Sequence, residues 1–333
     1  MNIAEIARRA NVSTATVSRT INQSGPVKAA TARKVWRVVA EMNYYPNSHA
    51  RALVSGRSRL LGLIVSDITN PFFSELIRAF ETPAAQQQYD LLITSTDYET
   101  TRMTATLRRM LERKVDGVAV MTSEMDLGLI RELSRRGVPI VFMDVGQMGP
   151  RMSHVSIDYG NGIVQAVEHV LELGHKQVAF ISGPLDLHSA RTRRQAFLDT
   201  MRAHRLVPDR RLIREGTHTA EGGQREMAAL LRLSRRPTAV VASNDWTAIG
   251  ALHAIFAAGL RVPEDVSLVG FDDIPLVSYT TPALTTVRMS AADVGGTAFN
   301  ALFRMIDGDR QEGEVFQIPT KLVIRDSTAK ARR

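Results

Sequence analysis

Two groups of residues in this 333-residue chain could do chemistry. The first is dispersed: Asn70, Phe72, Phe73, Ser123, Asp144, Asp158, Asn244, Trp246 and Asp272 stand where strand ends are expected. In open parallel sheets ligands lie beyond the carboxyl ends of the strands. Singly, each residue reads as a helix cap, a solvated loop position or, for the phenylalanines, core. Together, carboxylates, amides and rings converging on a cleft suit a small polyhydroxylated molecule, whose hydroxyls take charged hydrogen bonds while its C–H face lies on a ring. Arg193, after the turn Ile181-Ser-Gly-Pro184, adds a five-donor fork.

The second group is compact. Asn11-Val-Ser-Thr-Ala-Thr-Val-Ser-Arg-Thr-Ile-Asn22 reads as a short helix with Ser13 as its N-cap and Val12 and Val17 at hydrophobic-staple spacing. Val17 and Ile21 make one apolar face. Thr14, Ala15, Ser18 and Arg19 are left on the other, which is small enough for a DNA groove wall to approach closely. A helix precedes it, capped by Asn2 with Glu5 at its third position and carrying Ile3, Ile6, Ala7 and Ala10 at helical spacing. Helix, turn, helix is the order of a DNA reader that presents the start of its second helix to base edges. A plain helical hairpin is the alternative.

Charge separates the two readings. Residues 1–59 hold ten Lys/Arg against Glu5 and Glu41, a net of +8, while the other 274 residues hold 32 basic and 32 acidic groups. The whole excess coincides with the helical pair, which favours a nucleic-acid partner. There are no cysteines, so disulfides, thiolate metal sites and cysteine nucleophiles are excluded. The first apolar positions are interrupted by Glu5, Arg8 and Arg9, and no apolar run approaches the roughly 20 residues of a membrane span. The expectation is a cytoplasmic, nucleoid-associated protein with no membrane partner.

The elements that must position these residues follow in order. After a turn at Ser24-Gly25-Pro26, a third helix near Ala29–Met42 carries Val35, Trp36, Val39 and Met42 as its inner stripe, and Tyr44-Tyr45-Pro46 ends the unit. Asn47 or Ser48 can cap the next segment and Gly56 can stop it. That helix has about two turns, too short to stay wound in water unaided. Leu53 in its middle fits a minor-groove wedge, with a plain linker as the alternative. From Leu60 the period changes. Apolar runs at Leu60–Val65, Leu91–Thr94, Val115–Met121, Val138–Met143, Val178–Ile181, Ala239–Ala242 and Val266–Phe271 alternate with stretches of helical pattern, which indicates buried parallel strands in an α/β fold. Two sets of units, about 60–158 and 159–290, suggest two lobes. A helix around Ala291–Ile306 and strands Val315–Ile318 and Leu322–Ile324 complete one and then the other.

No catalytic set is visible. The chain lacks G-x-S-x-G, G-x-x-x-x-G-K-[ST] and H-E-x-x-H, and Gly160-Asn-Gly162 lacks the third glycine of a dinucleotide fingerprint. His169 and His175 do not share a helix face, so neither a metal site nor any other cofactor is expected, and the protein reads as no enzyme.

These residues resemble the lactose-repressor/galactose-repressor family of bacterial transcription regulators from about residue 2 to residue 328. The marks are Ile3-Ala-Glu-Ile-Ala7 with Asn11–Arg19, Ala50-Arg-Ala-Leu-Val-Ser-Gly-Arg-Ser58, Asp67-Ile-Thr-Asn-Pro-Phe-Phe73, Val115-Asp-Gly117 and Leu173-Gly-His175. Arg193-x-x-Ala-Phe197, Ser243-Asn-Asp245, Val262-Pro-Glu-Asp-Val266, Gly270-Phe-Asp272 and Pro282-Ala-Leu-Thr-Thr286 follow. The resemblance implies an all-α helix-turn-helix headpiece (1–46), a hinge helix and linker (47–59), and a two-lobed core of parallel sheets like periplasmic binding proteins. Its lobes would be 60–158 with 291–317 and 159–290 with 318–333.

It also implies a homodimer that binds a pseudo-palindromic operator and is switched by a small effector, sugar-like, between the lobes. Base and backbone contacts fall to Ser13, Thr14, Ala15, Thr16, Ser18, Arg19 and Asn22, with Leu53 opening the minor groove. Effector contacts fall to Asn70, Phe72, Phe73, Ser123, Asp144, Asp158, Arg193, His218, Asn244, Trp246 and Asp272. Ala196, Tyr159 and His218 depart from the usual pattern, which leaves a purine or other non-sugar effector as an alternative. A sugar-binding protein without regulatory DNA binding is the remaining one.

Overall fold

The computed structural model describes residues 2–22, 25–44, 56–122, 128, 132, 135–144, 149–207, 209–308 and 312–332. The chain forms two compact units, Met1–Arg59 and Leu60–Arg333.

In the first unit, helices α1 (Ile3–Ala10), α2 (Thr14–Asn22) and α3 (Ala29–Glu41) enclose a core of Ile6, Ala7, Ala10, Val17, Ile21, Val35, Val38, Val39 and Met42. Asn2 caps α1 by accepting from the Glu5 N–H at 3.1 Å, and Asn11 ends it in the left-handed region that asparagine tolerates. Ser13 Oγ accepts from the Thr16 N–H at 3.1 Å, the cap expected for α2. On α3 the inner stripe differs from expectation: Val38 is buried and Trp36 is 44% exposed. Neighbours 35 and 36 point about 100° apart on a helix, so Val35 in the core puts the indole at the surface. The proposed hinge segment with Leu53 lies outside the described residues.

The second unit holds two six-stranded sheets. The first runs β11-β5-β4-β3-β1-β2, all parallel, from β1 (Leu60–Val65), β2 (Asp90–Ser95), β3 (Gly117–Met121), β4 (Ile140–Met143), β5 (Met152–Ile157) and β11 (Val315–Ile318). Successive residues of a strand face opposite sides. Leu61, Leu63 and Val65 therefore meet α4 (Pro71–Gln86) and α10 (Ala291–Asp307), while Ile64 joins Met103, Leu107 and Met110 of α5 (Thr100–Glu112) on the other side. Both faces are covered, which is why the strands read as continuous apolar runs.

The second sheet runs β12-β10-β9-β8-β6-β7, built from β6 (Val178–Ser182), β7 (Ile213–Glu215), β8 (Ala239–Ala242), β9 (Ser267–Asp272), β10 (Thr285–Arg288) and β12 (Lys321–Val323). Only β12 pairs antiparallel. Helices α6 (Tyr159–Glu172) and α7 (His188–Ala203) pack as one pair, α8 (Ala220–Leu231) and α9 (Asp245–Ala257) as another. In the second pair, a Cβ on Gly223 would fall 2.0 Å from the Thr247 carbonyl oxygen, and one on Gly250 would fall 1.8 Å from that of Ala220. Each helix thus presents a bare backbone to the other.

Strands β5, β7 and β10 are absent from the run of apolar segments read in the sequence. Met152-Ser-His-Val-Ser-Ile157 and Thr285-Thr-Val-Arg288 carry too many polar residues to look buried, yet Ser153, His154, Thr285 and Thr286 all are. Hydrogen bonding removes the penalty at three of them. Ser153 Oγ accepts from the Glu314 N–H at 3.1 Å, Thr286 Oγ1 donates to Asp245 at 2.6 Å, and Thr285 Oγ1 accepts from the Arg325 N–H at 2.9 Å.

Candidate functional site

A cavity of about 50 Å3 lies where the carboxyl ends of both sheets meet. Of the residues singled out from the sequence, it brings together Asn70, Phe72, Phe73, Arg193, His218, Asn244 and Asp272. Asn70 caps α4, its Oδ1 accepting from the Phe72 N–H at 3.0 Å, and Pro71 occupies the first helical position, where its missing N–H costs nothing. Phe72 and Phe73 meet edge to face at 5.2 Å and belong to both the core and the cavity wall.

Arg193 is the centre of the site. Only 4% of it is exposed, and its guanidinium carbon lies 4.1 Å from the Tyr159 ring centroid and 4.4 Å from that of Phe271. The two ring centroids are 6.1 Å apart, so the rings hold the guanidinium from two adjacent sides and fix its position. The Asp272 carboxylate oxygen is 4.0 Å from Nη2, beyond hydrogen-bonding range, and the buried Nε has no hydrogen-bond partner among the described residues. A buried guanidinium left this short of acceptors is costly unless something supplies them. Asp272 ends β9 with φ +115 and is buried; burial pushes its carboxyl up to about 7, against the pull of Arg193. Beside it Asp245 accepts from the Ile274 N–H at 2.9 Å and from Thr286, so it fastens the turn that carries Asp272. Burial and the Asp272 charge hold the Asp245 carboxyl well above the usual range.

His218 and Asn244 begin the paired helices α8 and α9. Asn244 Oδ1 caps α9 through the Thr247 N–H at 2.8 Å, and its Nδ2 donates to the His218 carbonyl at 3.1 Å. His218 Nδ1 lies 3.2 Å from Ser243 Oγ, and its ring sits 5.9 Å from that of Tyr98. Burial, then the nearby Arg193 charge, lowers the His218 pKa to about 3, so the imidazole is neutral at physiological pH. The unfolded chain protonates this histidine below about 6.5. The folded state refuses that proton, so His218 drains stability as pH falls from about 6.5 towards about 3. Asp272 acts oppositely, losing stability as pH rises from about 3.8 through about 7. In urea titrations at several pH values, His218→Asn is therefore expected to gain on the wild type progressively below pH about 6.5.

Other candidates stand elsewhere. Asp144 is behind the wall, hydrogen-bonded to the Tyr159 hydroxyl. Asp158 is exposed and caps α6 through the Asn161 N–H at 3.1 Å. Trp246 is half-buried against the core, outside the cavity lining. Ser123 lies outside the described residues. The cavity also gains Ser66, Tyr98, Met143, Tyr159, Leu187, Ser189 and Met289, which were not proposed as contacts. Ser66 and Met143 are at strand ends, and Ser189 is one turn before Arg193, so strand-end and helical spacing could have found them.

On the first unit, Ser13, Thr14, Ala15 and Arg19 are exposed, while Thr16, Ser18 and Asn22 are half-buried. Thr16 Oγ1 meets Ser13 Oγ at 2.9 Å, and Asn22 Nδ2 donates to Ser18 Oγ at 3.2 Å, so these hydroxyls also serve the helix itself. Arg8 and Arg9 both pair with Glu5, whose carboxyl they pull down to about 2. Among the described residues no helix is long and apolar enough to cross a membrane.

Comparison with known proteins gives these features a setting. Residues 2–47 match the family of bacterial regulatory proteins of the lacI type, and residues 167–328 match a periplasmic binding protein-like domain. The chain is 35% identical over 329 residues to the HTH-type transcriptional repressor PurR of Escherichia coli O1:K1 / APEC, covering 98% of this chain and 96% of that one. It is 32% identical to the PurR of Aliivibrio salmonicida, with 98% and 99% covered. Among solved structures, the lac repressor dimer bound to operator and the anti-inducer ONPF superposes with a TM-score of 0.86 at 29% identity, covering 99% of each chain. A neutral core joined to a basic three-helix unit, with matches in order along both, leaves one conclusion: the chain belongs to the lacI family of bacterial regulatory proteins and is a DNA-binding transcription regulator with an effector-binding core.

Proposed function

We propose that the protein is a repressor that binds a pseudo-palindromic operator as a homodimer and releases or tightens its hold when a small sugar-like effector enters the core cavity. Repressors act where the chromosome is, which places it in the nucleoid-containing cytoplasm. Thr14, Ala15 and Arg19 read bases from the exposed face of α2, with Ser13, Thr16, Ser18 and Asn22 at the same surface and Leu53 as the minor-groove wedge. Asn70, Phe72, Phe73, Arg193, His218, Asn244 and Asp272 surround the effector, and Asp144 acts on the site through the Tyr159 hydroxyl.

The Arg193 site carries the reading. A guanidinium held against two rings, beside a carboxyl, puts donors and an acceptor side by side at the cavity wall. Vicinal hydroxyls match that pair, and the Phe72, Phe73 and Tyr98 rings suit the apolar face of a sugar. Related regulators have been solved with cellobiose and with ribose bound. The same rings could stack a purine base, which is the competing reading.

A thermal-shift series with D-ribose, cellobiose, glucose 6-phosphate and hypoxanthine separates the two. A saturating ligand at about 100 times its Kd adds about 2.7 kcal/mol of stability. A shift with a sugar supports the proposal; a shift with hypoxanthine alone overturns it. For the operator side, Arg19→Ala is expected to lose about 1–3 kcal/mol of discrimination between operator and scrambled DNA. Uniform weakening on both, in a competition gel-shift assay, would place Arg19 on phosphate only.

A further inference from the structure

We propose that Tyr159 is a positioning residue that links the effector arginine to the opposite lobe: its ring carries Arg193 of the second lobe while its hydroxyl donates to Asp144 of the first. The inference rests on the reading of the cavity as the effector site.

Tyr159 is the first residue of α6, where the chain passes from the first sheet to the second, and it is 3% exposed. The crossing is tied to another. The Asp158 N–H donates to the Ile318 carbonyl at 3.2 Å, and Thr320 Oγ1 donates to the Asp158 carbonyl at 2.7 Å. These two stretches lie side by side where the chain crosses between the sheets, so a turn of one lobe on the other would act on them. A side chain rooted there, with one end engaged on each lobe, must respond when they do.

Both ends are engaged. The ring face holds the Arg193 guanidinium at 4.1 Å and leans on Phe271 of β9, centroid to centroid 6.1 Å. The hydroxyl reaches Asp144 Oδ2 at 2.5 Å. Asp144 follows β4 in a left-handed conformation, φ +62, and its N–H donates to the Val155 carbonyl at 3.1 Å, so this acceptor is set by the first sheet. Burial and the neighbouring carboxylate raise the phenol well above its usual pKa, which keeps the donor proton in place. A phenylalanine would serve equally as wall and as cation–π partner. The hydroxyl adds one thing: a bond to the other lobe.

The test needs no effector. Full-length wild type, Tyr159→Phe, Asp144→Asn and the double variant are titrated onto DNA selected by the wild type from a random-sequence pool. Removing the hydrogen bond to a charged acceptor in Tyr159→Phe, or taking the charge from that acceptor in Asp144→Asn, is expected to move operator Kd about tenfold, in the same direction. Because Tyr159→Phe removes and Asp144→Asn discharges one shared bond, the double variant should move no further than the larger single change. Additive shifts, or operator Kd within about twofold of wild type in both singles while the melting temperature falls, would leave Tyr159 a wall and overturn the proposal. If Tyr159→Phe fails to fold, Asp144→Asn alone decides, by the same tenfold shift or its absence. A wrong effector assignment would surface separately, in the thermal-shift series.

Discussion

Arg193→Ala is expected to abolish the response of operator binding to effector while the effector-free protein still binds DNA. The substitution removes the charged donors at the centre of the cavity, and hydrogen bonds to charged groups contribute about 1.5–3 kcal/mol each. It also leaves Asp272, buried and already pushed up to about 7, without the cation that favours its ionised form. Asp272 then stays protonated and is a weaker acceptor for a ligand hydroxyl. Together these effects amount to roughly 3 kcal/mol, about two decades in effector Kd. Isothermal calorimetry with whichever sugar raises the melting temperature measures it directly. Retained affinity within about threefold would mean that the ligand sits elsewhere, because no other guanidinium lines the cavity among the described residues.

The second large effect is on the scaffold. Gly250→Ala places a methyl 1.8 Å from the Ala220 carbonyl oxygen and 2.6 Å from its carbon, both backbone atoms that no rotamer change can move. Helices α8 and α9 must separate, and overpacking of this kind costs about 3 kcal/mol at the upper end of the usual range. A fall in melting temperature of roughly 6–12 °C follows for a unit of this size. The site suffers as well, because the N-termini of the two helices hold His218 and Asn244 together through a 3.1 Å hydrogen bond. Scanning calorimetry checks the first consequence, and effector titration of the folded fraction checks the second. An unchanged melting temperature would mean that the helix pair is looser than its geometry shows.

The α/β architecture was legible because strands buried on both faces must be apolar throughout, as Leu61–Val65 and Val118–Met121 are. The headpiece was legible from its caps, since Asn2 and Ser13 announce helix starts by side-chain chemistry alone. What stayed hidden was burial achieved by pairing instead of by apolarity. Ser153 and Thr286 look exposed in sequence, and only the fold supplies their partners, Glu314 and Asp245, from distant segments. The cavity shows the same division. Arg193, Asp272 and the phenylalanines follow recognisable strand ends or turns, but Met289 follows β10, a strand the pattern concealed. Tyr159 was noticed only as a departure, because its meaning depends on Asp144 after β4 and Arg193 on α7 reaching it from distant parts of the chain.

Strand β11 pairs with β5, and α10 covers β3, β4 and β5, although both come after every strand of the second sheet except β12. No single cut in the gene can therefore release an intact half of the sensor. A messenger ending before Val315 leaves β5 as a raw edge of the first sheet, and one ending before Ala291 also bares the apolar face that α10 covers, fit for a protease and not for inheritance as a simpler binding module. Duplication and fusion of such a molecule must carry the tail with the head.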